Sequence, residues 1–143
     1  MSFLGKAVIL PIQPDEICHY REIALPFIKK ALEQTDHELT VQEILSDIAD
    51  HKRQLWLIKA DGEFIAGVVT QIYSYPSLKI GEITLASGED YEAWNHYTDL
   101  IEPWFKEKGC EIVQVVGRRG WVRHLKDKGF TERYTIMRKG LGK

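Results

Sequence analysis

The run QLWLIKADGEFIAGVVTQIYSYP, residues 54–76, constrains the fold more than any other stretch of the chain. Asp61-Gly62 at its centre is a strong hairpin signal, because two-residue type I′ turns need positive φ at both positions. The arms on either side read as two strands paired through that turn. The chain is therefore built on a sheet, and the remaining segments have to supply its other strands and its cover.

Those segments can be placed in order. KAVILPI (6–12) is a short apolar run halted before Pro14 and predicts a first strand. Residues 14–34 carry helical spacing at Ile17, Tyr20, Ala24, Phe27, Ile28, Ala31 and Leu32, with Pro26 expected to kink the helix or split it. Thr40 and Glu43 have the spacing of a capping box and open a second helix. After the hairpin, LKIGEITLAS (78–87) predicts another strand. Residues 91–109 predict a helix with its apolar stripe at Tyr91, Trp94, Tyr97, Leu100, Ile101, Trp104 and Phe105, a kink at Pro103 and a stop at Gly109. EIVQVVG (111–117) reads as a strand, WVRHLKDKG (121–129) as a short helix and FTERYTIMRKGL (130–141) as a last strand. Helices alternating with strands imply a mixed sheet with helices on its faces, an α/β or α+β architecture. Strands separated by helices are expected to pair in parallel through right-handed crossovers.

Length and composition bound the rest. At 143 residues without repeats or linkers, residues 1–143 read as one domain. With 44% hydrophobic residues and a net charge of −2, the chain is too apolar for long disorder and has no whole-molecule basic field for nucleic acid. No apolar run is long enough for a membrane span, and the start lacks the apolar core of a signal peptide, so a cytoplasmic setting is expected. Cys18 and Cys110 then read as buried, reduced thiols. The five histidines show no ligand-like spacing with one another or with the cysteines, and no metal site is expected.

The order of elements, together with the ending LKDKGF…YTIMRK, resembles the GCN5-related N-acetyltransferases. The order covers nearly the whole chain, whereas the local motif covers about its last thirty residues. The resemblance implies a mixed, mostly antiparallel central sheet of about 6–7 strands flanked by about four helices. It implies acetyl-CoA as cofactor and transfer of its acetyl group to an amine. Gly129 and Phe130 match the Gly-Phe that ends the family's closing helix, where glycine takes the left-handed turn and phenylalanine folds back.

By the same resemblance, backbone groups of Leu85, Ala86, Ser87 and Gly88 would surround the pantetheine arm, and Arg118, near the start of the closing helix, is the further cofactor-binding candidate. Glu82 lies on the strand where the family often places a glutamate that removes the amine proton through water. Alternation puts Ile80, Glu82, Thr84 and Ala86 on one face of that strand. Tyr134, on the predicted last strand, is the second candidate catalytic residue, as a hydroxyl donor. The family's pattern is also broken. Its pyrophosphate loop is glycine-rich and usually carries Arg or Gln, whereas LASGEDYEAW has one glycine and, directly after it, the acids Glu89 and Asp90, which would repel a diphosphate. Leu125 stands where the family often has a tyrosine able to protonate the departing thiolate.

Two other roles fit the residues. Similar short proteins with this ending are encoded by tailed phages, which implies a non-catalytic virion or morphogenesis component in the host cytoplasm or the virion. Exposed aromatics of the 94–105 stripe would then meet protein partners or a second copy. The cluster Arg118, Arg119, Arg123, His124, Lys126 and Lys128 is the one concentration of positive charge and would suit nucleic acid or a phosphate, with Trp121 placed to stack a base. The alternative for the cluster is a solvated helix face.

Overall fold

A computed structural model describes residues 7–117 and 119–142. Five strands form one sheet in the order β1 (Val8–Ile12), β2 (Gln54–Ala60), β3 (Glu63–Ser74), β4 (Lys79–Gly88) and β5 (Ile112–Val115). Asp61 and Gly62 have φ of 50° and 83°, as a type I′ turn requires, and they set the Ala60–Glu63 and Lys59–Phe64 pairs, beyond which a bulge shifts the β2–β3 register. β1 to β4 are antiparallel to their neighbours, and only β4 and β5 are parallel.

β1 and β2 correct the expectation that helix-separated strands run parallel. Two helices, α1 (Ile17–Leu32) and α2 (Val41–Ala49), lie between them. Two helices in series return the chain to the end of the sheet it left, so Leu55 pairs with Ile12 and β2 runs back along β1. The Thr40–Glu43 capping box forms with both of its hydrogen bonds, each 3.1 Å long. α1 continues through Pro26 unsplit. Cys18 is exposed on it and Cys110 half-buried, so neither is the buried thiol expected.

The expected helix over 91–109 is interrupted, though not at its proline. It divides into a single turn, α3 (Tyr91–Trp94), and α4 (Tyr97–Glu107), which carries Pro103 inside it. Gly109 ends the segment at φ 88°. α5 (Arg119–Lys126) closes with Gly129 at φ 90°, and the Phe130 N–H reaches back to the Leu125 carbonyl at 3.3 Å.

The predicted last strand does not form: residues 130–142 carry no regular structure, and the described residues form five strands where 6–7 were expected. Its alternation mixes Glu132, Tyr134, Ile136 and Arg138 on one side with Arg133, Thr135, Met137 and Lys139 on the other. Neither side is apolar, so pairing would bury little. Within the segment Arg138 lies 3.3 Å from Asp36 and 2.8 Å from Glu38, both exposed pairs.

The sheet has a core on each face. α1 and α2 bury Ile28, Leu32, Ile44 and Ile48 against Leu55, Leu57, Val69 and Leu85. On the other face Trp94, Tyr97, Ile101 and Phe105 pack on Trp56, Ile58, Val68 and Ile83. The aromatic stripe is thus largely core, with Trp104 half-buried edge-on to Trp56 at 5.3 Å. No helix among the described residues is long and apolar enough to cross a membrane.

Candidate functional site

The site begins with a slip in register. Val69 pairs with Leu85 but Thr70 pairs with Ile83, so Thr84 is an extra residue on β4, a β-bulge. Up to the bulge the expected alternation holds, with Glu82 opposite Gln71. Beyond it the faces exchange. Leu85 points into the α1–α2 core and Ala86 joins the other, which separates Ala86 from the face it was expected to share with Glu82.

The bulge coincides with the parting of two strands. β5 pairs with β4 only from Ile80 to Ile83, and its last contact is the Val116 N–H to the Ile83 carbonyl at 3.4 Å. From Thr84 to Gly88, β4 continues along β3 with no β5 partner. The result is a fork whose β4 limb presents main-chain polar groups along its free edge.

Glu82 stands at the base of this fork, 6% exposed. Its carboxylate accepts from Gln114 Nε2 at 2.7 Å, from the Thr84 hydroxyl at 2.9 Å and from the Tyr73 hydroxyl at 3.4 Å. A buried carboxylate is costly unless donors surround it, and these three supply that shell without a cation. Burial first, then the neighbouring Glu82 charge, raise the Tyr73 pKa above its ordinary 10.0, so its hydroxyl keeps its proton at neutral pH. Tyr73 and Gln114 escape a reading of the sequence because neither lies on Glu82's own strand. Once the hairpin register is known, Tyr73 is a diagonal neighbour of Glu82 and so within a tyrosine's reach.

The other expected site residues are scattered. Ser87 donates to the Phe27 carbonyl of α1 at 2.6 Å, and the Gly88 carbonyl accepts from Lys30 at 2.8 Å. A Cβ on Gly88 would collide with Ile65 and Ala66 of β3, so glycine is required where these strands draw together. Tyr134 is 91% exposed on the segment expected to be a strand, and the described bonds of Glu82 do not include it. Arg118 lies outside the described residues. Leu125 is buried, as a packing residue would be.

Acetyl-CoA, which the resemblance implies, fits this chain in one half only. The free β4 edge suits the amide-bearing pantetheine arm. The diphosphate end is different: Asp90 takes positive φ, the Glu89 N–H is already bonded to the Ile65 carbonyl at 2.9 Å, and α3 is a single turn. Glu89 and Asp90 are both exposed there. Beside them Tyr91 packs against Trp121 at 5.4 Å and His124 at 4.9 Å, joining α3 to α5. Trp121 leans on Gly117, where an added Cβ would come within 2.8 Å of its indole.

The described members of the basic cluster do not all act alike. Lys128 turns to α4, 2.9 Å from His96 and 3.5 Å from Asp99, while Arg123 and Lys126 stay exposed on α5. No three His, Cys, Asp or Glu side chains converge as metal ligands among the described residues.

A mixed sheet forked at a bulge, with a crossover through α3 and α4 into the parallel β5, defines the class: the chain has the fold of the GCN5-related N-acetyltransferases. An aminoglycoside acetyltransferase from an uncultured soil metagenomic sample, in complex with sisomicin, superposes with TM-score 0.71 at 8% identity, over 98% of this chain and 99% of that one. A predicted acetyltransferase from Clostridium acetobutylicum, solved with acetyl-CoA, gives 0.66 at 15% identity over 94% and 96% of the two chains. Glucosamine-6-phosphate N-acetyltransferase from Arabidopsis thaliana gives 0.68 at 13% over 94% and 98%. At such identities the likeness establishes the fold. No family model and no curated protein matches the sequence.

Proposed function

We propose that this chain is an amine acetyltransferase that draws on a pantetheine thioester, acetyl-CoA in the first instance, with Glu82 as its general base. The observation that carries this reading is the buried Glu82 carboxylate, held by three donors where β4 parts from β5. A fold gains little by burying a carboxylate at an open strand fork unless the group has work there. The thioester supplies an activated acyl carbon. The chain's own part is to lodge the arm along Thr84–Gly88 and to accept at Glu82 the proton that an attacking amine must lose. Tyr73, Thr84 and Gln114 fix the carboxylate's direction.

A non-catalytic protein of this fold is the second reading, and Glu89 and Asp90 at the diphosphate end favour it. Calorimetric titration of acetyl-CoA, with thermal unfolding in parallel, separates the two. Micromolar binding and a raised Tm support the transferase. Absence of binding at millimolar ligand supports the non-catalytic reading and directs attention to protein partners.

A further inference from the structure

Helix α1 reaches the outer end of the fork. Its Phe27 carbonyl accepts from Ser87 at 2.6 Å, and the Phe27 side chain sits so close to Gly67 that an added Cβ there would come within 2.9 Å of it. Lys30 lies one turn further along the same helix face. Its ammonium donates to the Gly88 carbonyl at 2.8 Å. Lys30 is ion-paired with no carboxylate among the described residues, so the ammonium is held in place without being neutralised.

The strand pairing shows on which side of β4 this ammonium stands. The Glu89 N–H bonds the Ile65 carbonyl of β3 at 2.9 Å. In an antiparallel pair, alternate residues turn both main-chain groups toward the partner strand or away from it. Gly88, opposite Ala66, therefore turns its N–H and carbonyl away from β3, to the free edge, and Ala86 does the same. Lys30 thus stands at the far end of the edge that suits a pantetheine arm.

The spacing suits one phosphate. Ile83, the last β4 residue with a β5 partner, pairs with Thr70, and Gly88 pairs with Ala66. The four steps of β3 from Thr70 to Ala66 span about 14 Å. A pantetheine arm has thirteen bonds from sulfur to phosphorus, as many as in a little over four residues of main chain, and extends to about 15 Å. With the thioester beside Glu82, the phosphate that ends the arm would meet Lys30 and the Gly88 N–H. Past that point stand Glu89 and Asp90, both exposed.

We infer that recognition of the donor ends at this phosphate: Lys30 and the Gly88 N–H bind the single phosphate of a 4′-phosphopantetheine thioester, and the rest of coenzyme A gains no hold. This rests on the pantetheine reading above. Coenzyme A and the prosthetic group of a carrier protein both contain this arm and phosphate, and the acids beyond Gly88 favour the donor that brings less negative charge past Lys30.

The test titrates pantetheine, 4′-phosphopantetheine, coenzyme A and a holo-acyl carrier protein into the full chain by calorimetry. 4′-Phosphopantetheine is expected to bind about fivefold or more tighter than pantetheine. Coenzyme A is expected to bind no tighter than 4′-phosphopantetheine. Lys30→Gln should erase the preference for the phosphate, and Lys30→Arg should retain it. A preference that survives Lys30→Gln, or coenzyme A binding about tenfold or more tighter than 4′-phosphopantetheine, overturns the inference while leaving the pantetheine reading intact. Binding of none of the four overturns both. Carrier protein binding as tightly as free 4′-phosphopantetheine assigns the donor to a carrier, and its failure to bind assigns the donor to coenzyme A; either result keeps the Lys30 site.

Discussion

Glu82 and Tyr97 are both buried polar side chains, yet their surroundings set them apart. Glu82 has three donors, whereas the Tyr97 hydroxyl is buried with no partner among the described residues. A satisfied carboxylate at a fork suggests use; an orphaned phenol within the core suggests a ring retained for its packing. Substituting Glu82→Gln keeps the shape and removes the basicity. Acetyl transfer, measured as thiol release with an accepted amine, should then fall about 100-fold or more while acetyl-CoA affinity holds. Unchanged turnover would rule out Glu82 as base. Tyr97→Phe discards only an oxygen that has no partner, so stability at pH 7 should hold or rise by up to about 1 kcal/mol in urea unfolding.

At the scale of elements, β4 decides both the packing and the site. Gly81 is needed because a Cβ there would strike the ring of Phe105, which is wholly buried on α4 and has no room to yield. Gly81→Ala should therefore cost about 2 kcal/mol by overpacking, seen as a lower urea midpoint with an unchanged m-value. Three residues on, Thr84 inserts the bulge that turns Leu85 inward and leaves the strand's far edge free. The turn at Asp61-Gly62, the Thr40 cap and the Gly109 and Gly129 stops were legible in the sequence, since each depends on neighbouring residues. The bulge was not: nothing in KIGEITLAS marks which residue is extra, because that is fixed by the fit of β3 against β4. The same limit hid Tyr73 and Gln114, the cross-strand donors to the candidate base Glu82. The last strand failed for a related reason, in that β-forming residues were present but no apolar face accompanied them.

Across the whole molecule the question is how charge limits what the fold can bind and withstand. Glu89 and Asp90 are exposed at the end of the fork where a diphosphate would lie. Glu89→Gln/Asp90→Asn should tighten acetyl-CoA binding by about three- to tenfold at low salt, with the gain shrinking as salt rises. A gain absent at every ionic strength would place those carboxylates away from the ligand. Alkali probes the interior instead. Burial raises the pKa of Tyr97 well above its ordinary 10.0, and burial likewise raises Tyr91. The folded state therefore holds these phenolic protons more tightly than the unfolded chain does. Their contribution is complete below pH 10 and disappears as the pH climbs past that value toward the folded pKa. The urea midpoint should consequently fall steeply above about pH 10. Tyr97→Phe, which removes the most deeply buried of these phenols, should flatten that fall. If the wild type and Tyr97→Phe lose stability in parallel through this range, the alkaline transition belongs to other groups and Tyr97 is not its origin.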